Sequence, residues 1–110
     1  MRLPNAEYAI VDMVKLRDYC LSSTHPRGRR KARVFAATLG LGAHDAELLR
    51  DTILRAALSD EAIVGESDAY GRRYVIDFRM RGPKGEAVVR STWIVRTDEQ
   101  VPRLTSCYVL

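Results

Sequence analysis

Near residue 60 the spacing of apolar residues changes its period. Before that point they recur every three or four positions, the repeat of a helix with one buried face. After it they alternate with polar residues, the repeat of a strand. A chain that uses up its helices before its strands begin cannot build parallel crossovers, because each crossover needs a helix between two strands. The pattern predicts an α+β fold in which three N-terminal helices pack on a four-stranded antiparallel sheet. The 110 residues fit a single domain, 1–110, around a single core.

Local signals give the elements. Leu3-Pro4-Asn5-Ala6 starts as an extended segment, since the residue before a proline avoids the helical region. Asp12 suits the N-cap of a first helix over 13–21, with Leu16, Tyr19 and Cys20 on one face. Ser22 to Pro26 breaks it. A second helix is predicted over 28–39, with Ala32, Phe35, Ala36 and Leu39 as its stripe and Gly40 as its stop. A third, opened by His44 or Asp45, covers 46–58. Strands are predicted over 62–66, 72–80, 86–97 and 103–109, with turns at Tyr70-Gly71 and Gly82-Pro83-Lys84-Gly85. Strict alternation puts Leu104, Ser106 and Tyr108 on one face and Arg103, Thr105 and Cys107 on the other. Both faces of 86–97 carry apolar residues, so alternation leaves open which face the helices cover.

Composition narrows function mainly by exclusion. No apolar run approaches the roughly 20 residues of a membrane span, and the first 15 residues have only short apolar stretches, unlike a signal peptide. A membrane partner is not expected, and the expected location is cytoplasmic. Cys20 and Cys107 are too few for a metal set, which takes about four ligands. Both are expected to be reduced and to pack as small apolar residues. No phosphate loop, dinucleotide fingerprint or paired His ligands occur, so neither cofactor nor metal is expected. The net charge is +4, and 15 of the 18 basic residues are arginine. The arginine fork matches phosphate, although an arginine-rich genome produces the same bias.

Two stretches carry candidate chemistry. In His25-Pro26-Arg27-Gly28-Arg29-Arg30-Lys31 a histidine, able to move protons near neutral pH, precedes a helix N-terminus rich in cations. Such a group can bind a phosphodiester and stabilise its pentavalent transition state. A solvated basic helix start is the ordinary alternative. In the last strand, Ser106 and Tyr108 project hydroxyls to one face beside Ser91 and Trp93, a row able to position a phosphate or base. An ordinary strand of β-formers is the alternative there.

Taken in order, Leu3-Pro4-Asn5-Ala6, Lys15-Leu16-Arg17-Asp18-Tyr19 and His25-Pro26-x-Gly28-Arg29-x-Lys31-Ala32 resemble a bacterial family of small domains, DUF6883. So do Gly71-Arg72-Arg73-Tyr74-Val75, Val89-Arg90-Ser91-x-Trp93-Ile94 and Pro102-Arg103-Leu104-x-Ser106-x-Tyr108, which extend the resemblance over nearly the whole chain. Domains of this kind occur alone and look like C-terminal modules of some phage head-morphogenesis proteins and polymorphic toxins. Their layout is similar to the barnase–EndoU–colicin–RelE group of ribonucleases. Two positions depart from that pattern: serine stands at 91 and 106 where threonine is usual, and Val109 stands where proline often follows the terminal tyrosine.

The resemblance implies a metal-independent endoribonuclease of the toxin type, cleaving RNA by 2′-hydroxyl attack. His25 would shuttle protons, Lys31 with Arg29 would offset transition-state charge, and Arg103, Ser106 and Tyr108 would hold the phosphate. Arg27, Arg30, Ser91 and Trp93 would contact substrate. An acidic cognate inhibitor encoded nearby is the implied partner besides RNA. The alternative is a non-catalytic module binding nucleic acid or protein in a toxin–antitoxin or phage-derived system. A nuclease requires His25, Lys31 and the Ser106 or Tyr108 hydroxyl to line one cleft. A core role would bury Ser106 and Tyr108 beneath the helices.

Overall fold

The computed structural model describes residues 1–110 and has an α+β architecture with an antiparallel four-stranded sheet. The first helix, α1, is an α-turn over Met13–Lys15 that widens into a π-turn over Leu16–Cys20. The Asp12 carboxylate caps it, accepting the Val14 N–H at 2.9 Å. Helix α2 spans Arg29–Leu39 and α3 spans Ala46–Ser59, with short 3₁₀ turns at Ala6–Tyr8 and Ala43–Asp45. Gly40 ends α2 in the left-handed region at φ 74°, where the Leu41 N–H turns back to the Phe35 carbonyl.

Strands β1 (Ile63–Asp68), β2 (Gly71–Gly82), β3 (Gly85–Arg96) and β4 (Arg103–Val109) form a meander in sequence order. A two-residue turn at Pro83-Lys84 fixes the β2–β3 register, pairing Gly82 with Gly85 and every residue back to Gly71 with Arg96. β2 is therefore longer than its alternating apolar core suggests.

The helices cover one face. Tyr74, Ile76, Phe78 and Met80 of β2 meet Val89, Ser91 and Trp93 of β3 there, together with Leu104 and Cys107 of β4, and all are buried. Phe35 and Leu39 of α2 and Leu49 and Ile53 of α3 close the core from above. The opposite face carries no helix. Asp77, Arg90 and Tyr108 lie side by side on it, as do Val75, Thr92 and Ser106.

Two expectations need correction. Strict alternation fails in β4, where Thr92 pairs with Ser106 but Trp93 pairs with Leu104. The extra residue, Thr105, is a β-bulge. Leu104 and Cys107 thereby both face the core, while Ser106 and Tyr108 face away from it. Ser91 and Trp93 do not join that row. Trp93 is 0% and Ser91 1% exposed, so neither is open to a substrate. Their polar atoms serve the core: the indole N–H donates to Ser91 Oγ at 3.0 Å, and that hydroxyl donates to the Ile76 carbonyl at 2.9 Å. Ser91→Ala strands the indole donor in the core and is expected to lower unfolding free energy by about 1–3 kcal/mol in urea titrations.

A candidate phosphate site at the edge of the sheet

The segment joining α1 to α2 is held by its own side chains. Ser22 Oγ accepts the N–H groups of Thr24 and His25 at 3.3 and 3.2 Å. His25 Nδ1 accepts those of Arg27 and Gly28 at 3.0 and 3.1 Å. Gly28 is required by close approach, since a Cβ there would lie 2.1 Å from the Tyr19 carbonyl oxygen. This contact clamps the start of α2 against the π-turn. In a π-turn each N–H reaches back five residues, so residue i+3 lies farther round from residue i than in an α-helix. Leu16 and Cys20 stay buried while Tyr19 is only partly so.

Tyr19 is the hinge of the cluster. His25 meets it edge-on, with ring centroids 4.8 Å apart at 70°. On α2, Lys31 reaches past the sheet edge and sets Nζ 5.7 Å from the Tyr19 centroid. The same ammonium lies 4.9 Å from the Tyr108 centroid and donates to Ser106 Oγ at 3.4 Å. Lys31, Ser106 and Tyr108 therefore meet, and His25 adjoins them through Tyr19. Beside them Thr92 and Thr105 share a hydrogen bond of 2.6 Å, and Lys15 Nζ donates to the Thr105 carbonyl at 3.2 Å.

Arg90 extends the cluster across the open face. It forms a two-pronged bond with Asp77, at 2.8 and 2.9 Å, and stands opposite Tyr108. Asp77, and secondarily the Tyr108 phenol, hold the guanidinium charged. The Arg90 hydrogen bond in turn holds the Asp77 carboxyl below its ordinary range, against a smaller opposing effect of burial. Beneath Lys31 the two cysteines adjoin as free thiols. Hydrogen bonding from the Cys107 thiol lowers Cys20 to about 7, and the same contact raises Cys107.

Charge divides the molecule. On the sheet, Arg73, Arg79, Arg81, Arg90, Arg96 and Arg103 all have acidic partners. Arg103, expected to hold phosphate, is instead gripped by Glu99 at 3.0 and 2.7 Å. Arg27, Arg29, Arg30, Lys31 and Arg33 have none, and all but Lys31 are exposed. No three side chains among His, Cys, Asp and Glu converge as metal ligands. No helix is long and apolar enough to cross a membrane.

Tyr19, Lys15, Asp77, Arg90, Thr92 and Thr105 escaped the sequence reading of the site. The hairpin held a usable signal for two of them, because a two-residue turn at Pro83-Lys84 dictates that Asp77 and Arg90 pair. The others depend on the π-turn and the bulge.

These observations define a small α+β domain with a cationic cluster at a sheet edge. The sequence model of the family described as "Domain of unknown function (DUF6883)" matches residues 2–110, and the chain belongs to that family. No curated protein matches the chain. Among solved structures, it is similar to a chain of the "Contact-dependent growth inhibition toxin - immunity protein complex from Klebsiella pneumoniae 342". The TM-score is 0.70 at 20% identity, over 92% of this chain and 99% of the other, a likeness of fold.

The ion pairs carry a pH dependence. Asp68, Asp77, Glu86 and Glu99 all have lowered pKa values in the fold, each mainly through a hydrogen bond from arginine. A lowered carboxylate stabilises the fold fully above its unfolded pKa, about 4, and the gain is lost as pH falls through the folded value. The urea midpoint is expected to hold above about pH 5 and to fall on acidification below about pH 4. Asp77→Asn should shrink that acid dependence.

Proposed function

We propose that this domain is a metal-independent endoribonuclease of the toxin type. The observation that carries the reading is the Lys31 ammonium set against the Ser106 hydroxyl and the Tyr108 ring, with Arg90 alongside. A toxin role draws support from the fold shared with a chain of a toxin–immunity protein complex. In the proposed reaction the 2′-oxygen bonds to the adjacent phosphorus as the bond to the 5′-oxygen breaks. The 2′-hydroxyl loses a proton and the 5′-oxygen gains one, giving a 2′,3′-cyclic phosphate and a 5′-hydroxyl.

Charge builds on the phosphoryl oxygens along this path, and fixed cations stabilise it most when they need not reorganise. Lys31 is held by Ser106 and two aromatic rings. Arg29 supplies further charge from the same helix start, and Ser106 and Tyr108 hold the phosphate. Arg27 and Arg30 meet neighbouring phosphates along the strand. His25 takes a different part from the proton shuttle its sequence context suggests. Its Nδ1 accepts two backbone N–H groups, which puts the proton on Nε2. Shuttling would force Nδ1–H against those donors, so His25 acts here as a turn cap and a hydrogen-bond donor to phosphate.

The exposed, unpaired cations at 27–33 also favour a second reading, a module that binds RNA or an acidic inhibitor without cleaving. Affinity would then fall with salt in proportion to the phosphates neutralised.

Incubating the purified protein with total RNA in chelator tests the proposal. Cleavage to cyclic-phosphate ends is expected, and Lys31→Ala should slow it about 100- to 1,000-fold, the scale of losing one transition-state donor. His25→Asn, which keeps an acceptor for the turn, should lose far less than His25→Ala. RNA left intact at high protein concentration, or cleavage that needs added metal, overturns the assignment.

A further inference from the structure

Beside the cationic cluster lies a cleft of about 420 Å³, of whose walls the proposed phosphate contacts use only His25. That volume falls within the range of about 300–1,000 Å³ usual for small-ligand sites. Its walls are Asp12, Val14, Lys15, Asp18, Tyr19, His25 and Thr105. Tyr19 and Thr105 also touch or adjoin the Lys31 and Ser106 groups, so cleft and cluster are contiguous.

The lining mixes aromatic, apolar and charged groups. Tyr19 and His25 present aromatic rings, and Val14 presents an apolar side chain that is 54% exposed. Asp12 and Asp18 present two carboxylates against one ammonium, Lys15, which already donates to the Thr105 carbonyl at 3.2 Å. The two carboxylates oppose a polyanion, because they repel phosphate beside the run of unpaired cations at the start of α2. They are useful to a nucleic acid only through its bases, whose edges carry N–H donors. Asp12 already spends one oxygen on the Val14 N–H that caps α1. Asp18 is freer, held only by its sequence neighbour Arg17 at 3.3 Å and with a side chain 59% exposed.

A carboxylate offers two parallel acceptors. Among the common bases, guanine alone presents two adjacent donors, N1–H and the N2 amino group, on its Watson–Crick edge. Adenine offers one donor beside an acceptor, and the pyrimidines likewise cannot supply a pair. Single-stranded RNA is read in this manner, with unstacked bases lying on aromatic rings while their edges are hydrogen-bonded.

We propose that this cleft is a guanine-binding pocket. Asp18 accepts N1–H and N2–H, and Tyr19, His25 and Val14 supply the aromatic and apolar wall. The phosphate attached to the bound nucleoside then reaches Lys31 and Ser106. The inference rests on the ribonuclease reading only in making this guanosine part of an RNA substrate; the pocket itself does not require cleavage.

The test separates the two. Binding of guanosine, adenosine, cytidine and uridine 3′-monophosphates is measured by calorimetry on the wild type, on Asp18→Asn and on the control Glu7→Gln. Glu7 is an exposed carboxylate without an ion-pair partner. Cleavage sites in RNA are mapped with the same three proteins. Guanosine monophosphate should bind about tenfold to a hundredfold more tightly than the others, the scale of one two-pronged base contact. Asp18→Asn should remove that preference and Glu7→Gln should keep it. Guanine preference that depends on Asp18 in a protein that leaves RNA intact supports the pocket and defeats the ribonuclease. RNA cleavage without preference for guanosine, or with a preference unchanged in Asp18→Asn, does the reverse. Equal binding of all four nucleotides also overturns the pocket.

Discussion

A strand at the edge of a sheet leaves a row of backbone N–H and C=O groups without partners. In β4 the cover comes from the helical half of the chain. Ile10 exchanges hydrogen bonds with Pro102 and Leu104 at the strand's start. Lys15 takes the Thr105 carbonyl, and Cys20 sits against Cys107. Lys31 completes the cover by reaching Ser106. Two lysines are thus drawn to the place where the Thr105 bulge turns Ser106 and Tyr108 away from the core. Covering the edge and building the cationic cluster are one event, and the Gly28–Tyr19 clamp keeps α2 close enough to allow it.

The division of charge gives this geometry its chemical direction. An arginine committed to a carboxylate has little left to offer a phosphate, and most sheet arginines are committed in this way. Exposed pairs of this kind add little to stability, so their larger effect is on where free positive charge remains. Its densest run is at the start of α2, beside the β4 edge of the sheet. Arg90 is intermediate, bound to Asp77 on one side and facing Tyr108 on the other.

The order of helices before strands, the Asp12 cap, the Gly40 stop and the tight Pro83-Lys84 turn were all legible in the sequence. Each rests on residues within a few positions of one another. The stretch from His25 to Lys31 stood out for the same reason, since its cations are contiguous. The contact between Lys31 and the Ser106-Tyr108 strand followed from the proposed chemistry, although no local pattern required it.

Other features were settled only by packing. Alternation in β4 assumes an unbroken ladder, and the bulge arises from how that strand meets β3 and the helices beyond its edge. One inserted residue moves Ser106 and Tyr108 to the open face and leaves Ser91 and Trp93 in the core. The π-turn depends likewise on burying Leu16 and Cys20 together while Gly28 presses on Tyr19. His25 became a cap because folding aims two amides at Nδ1. The sequence by itself determined which segments are helix or strand, because that information is local and periodic. Only the tertiary structure decided which side chains share a site, because one shift in register exchanges the faces of a strand.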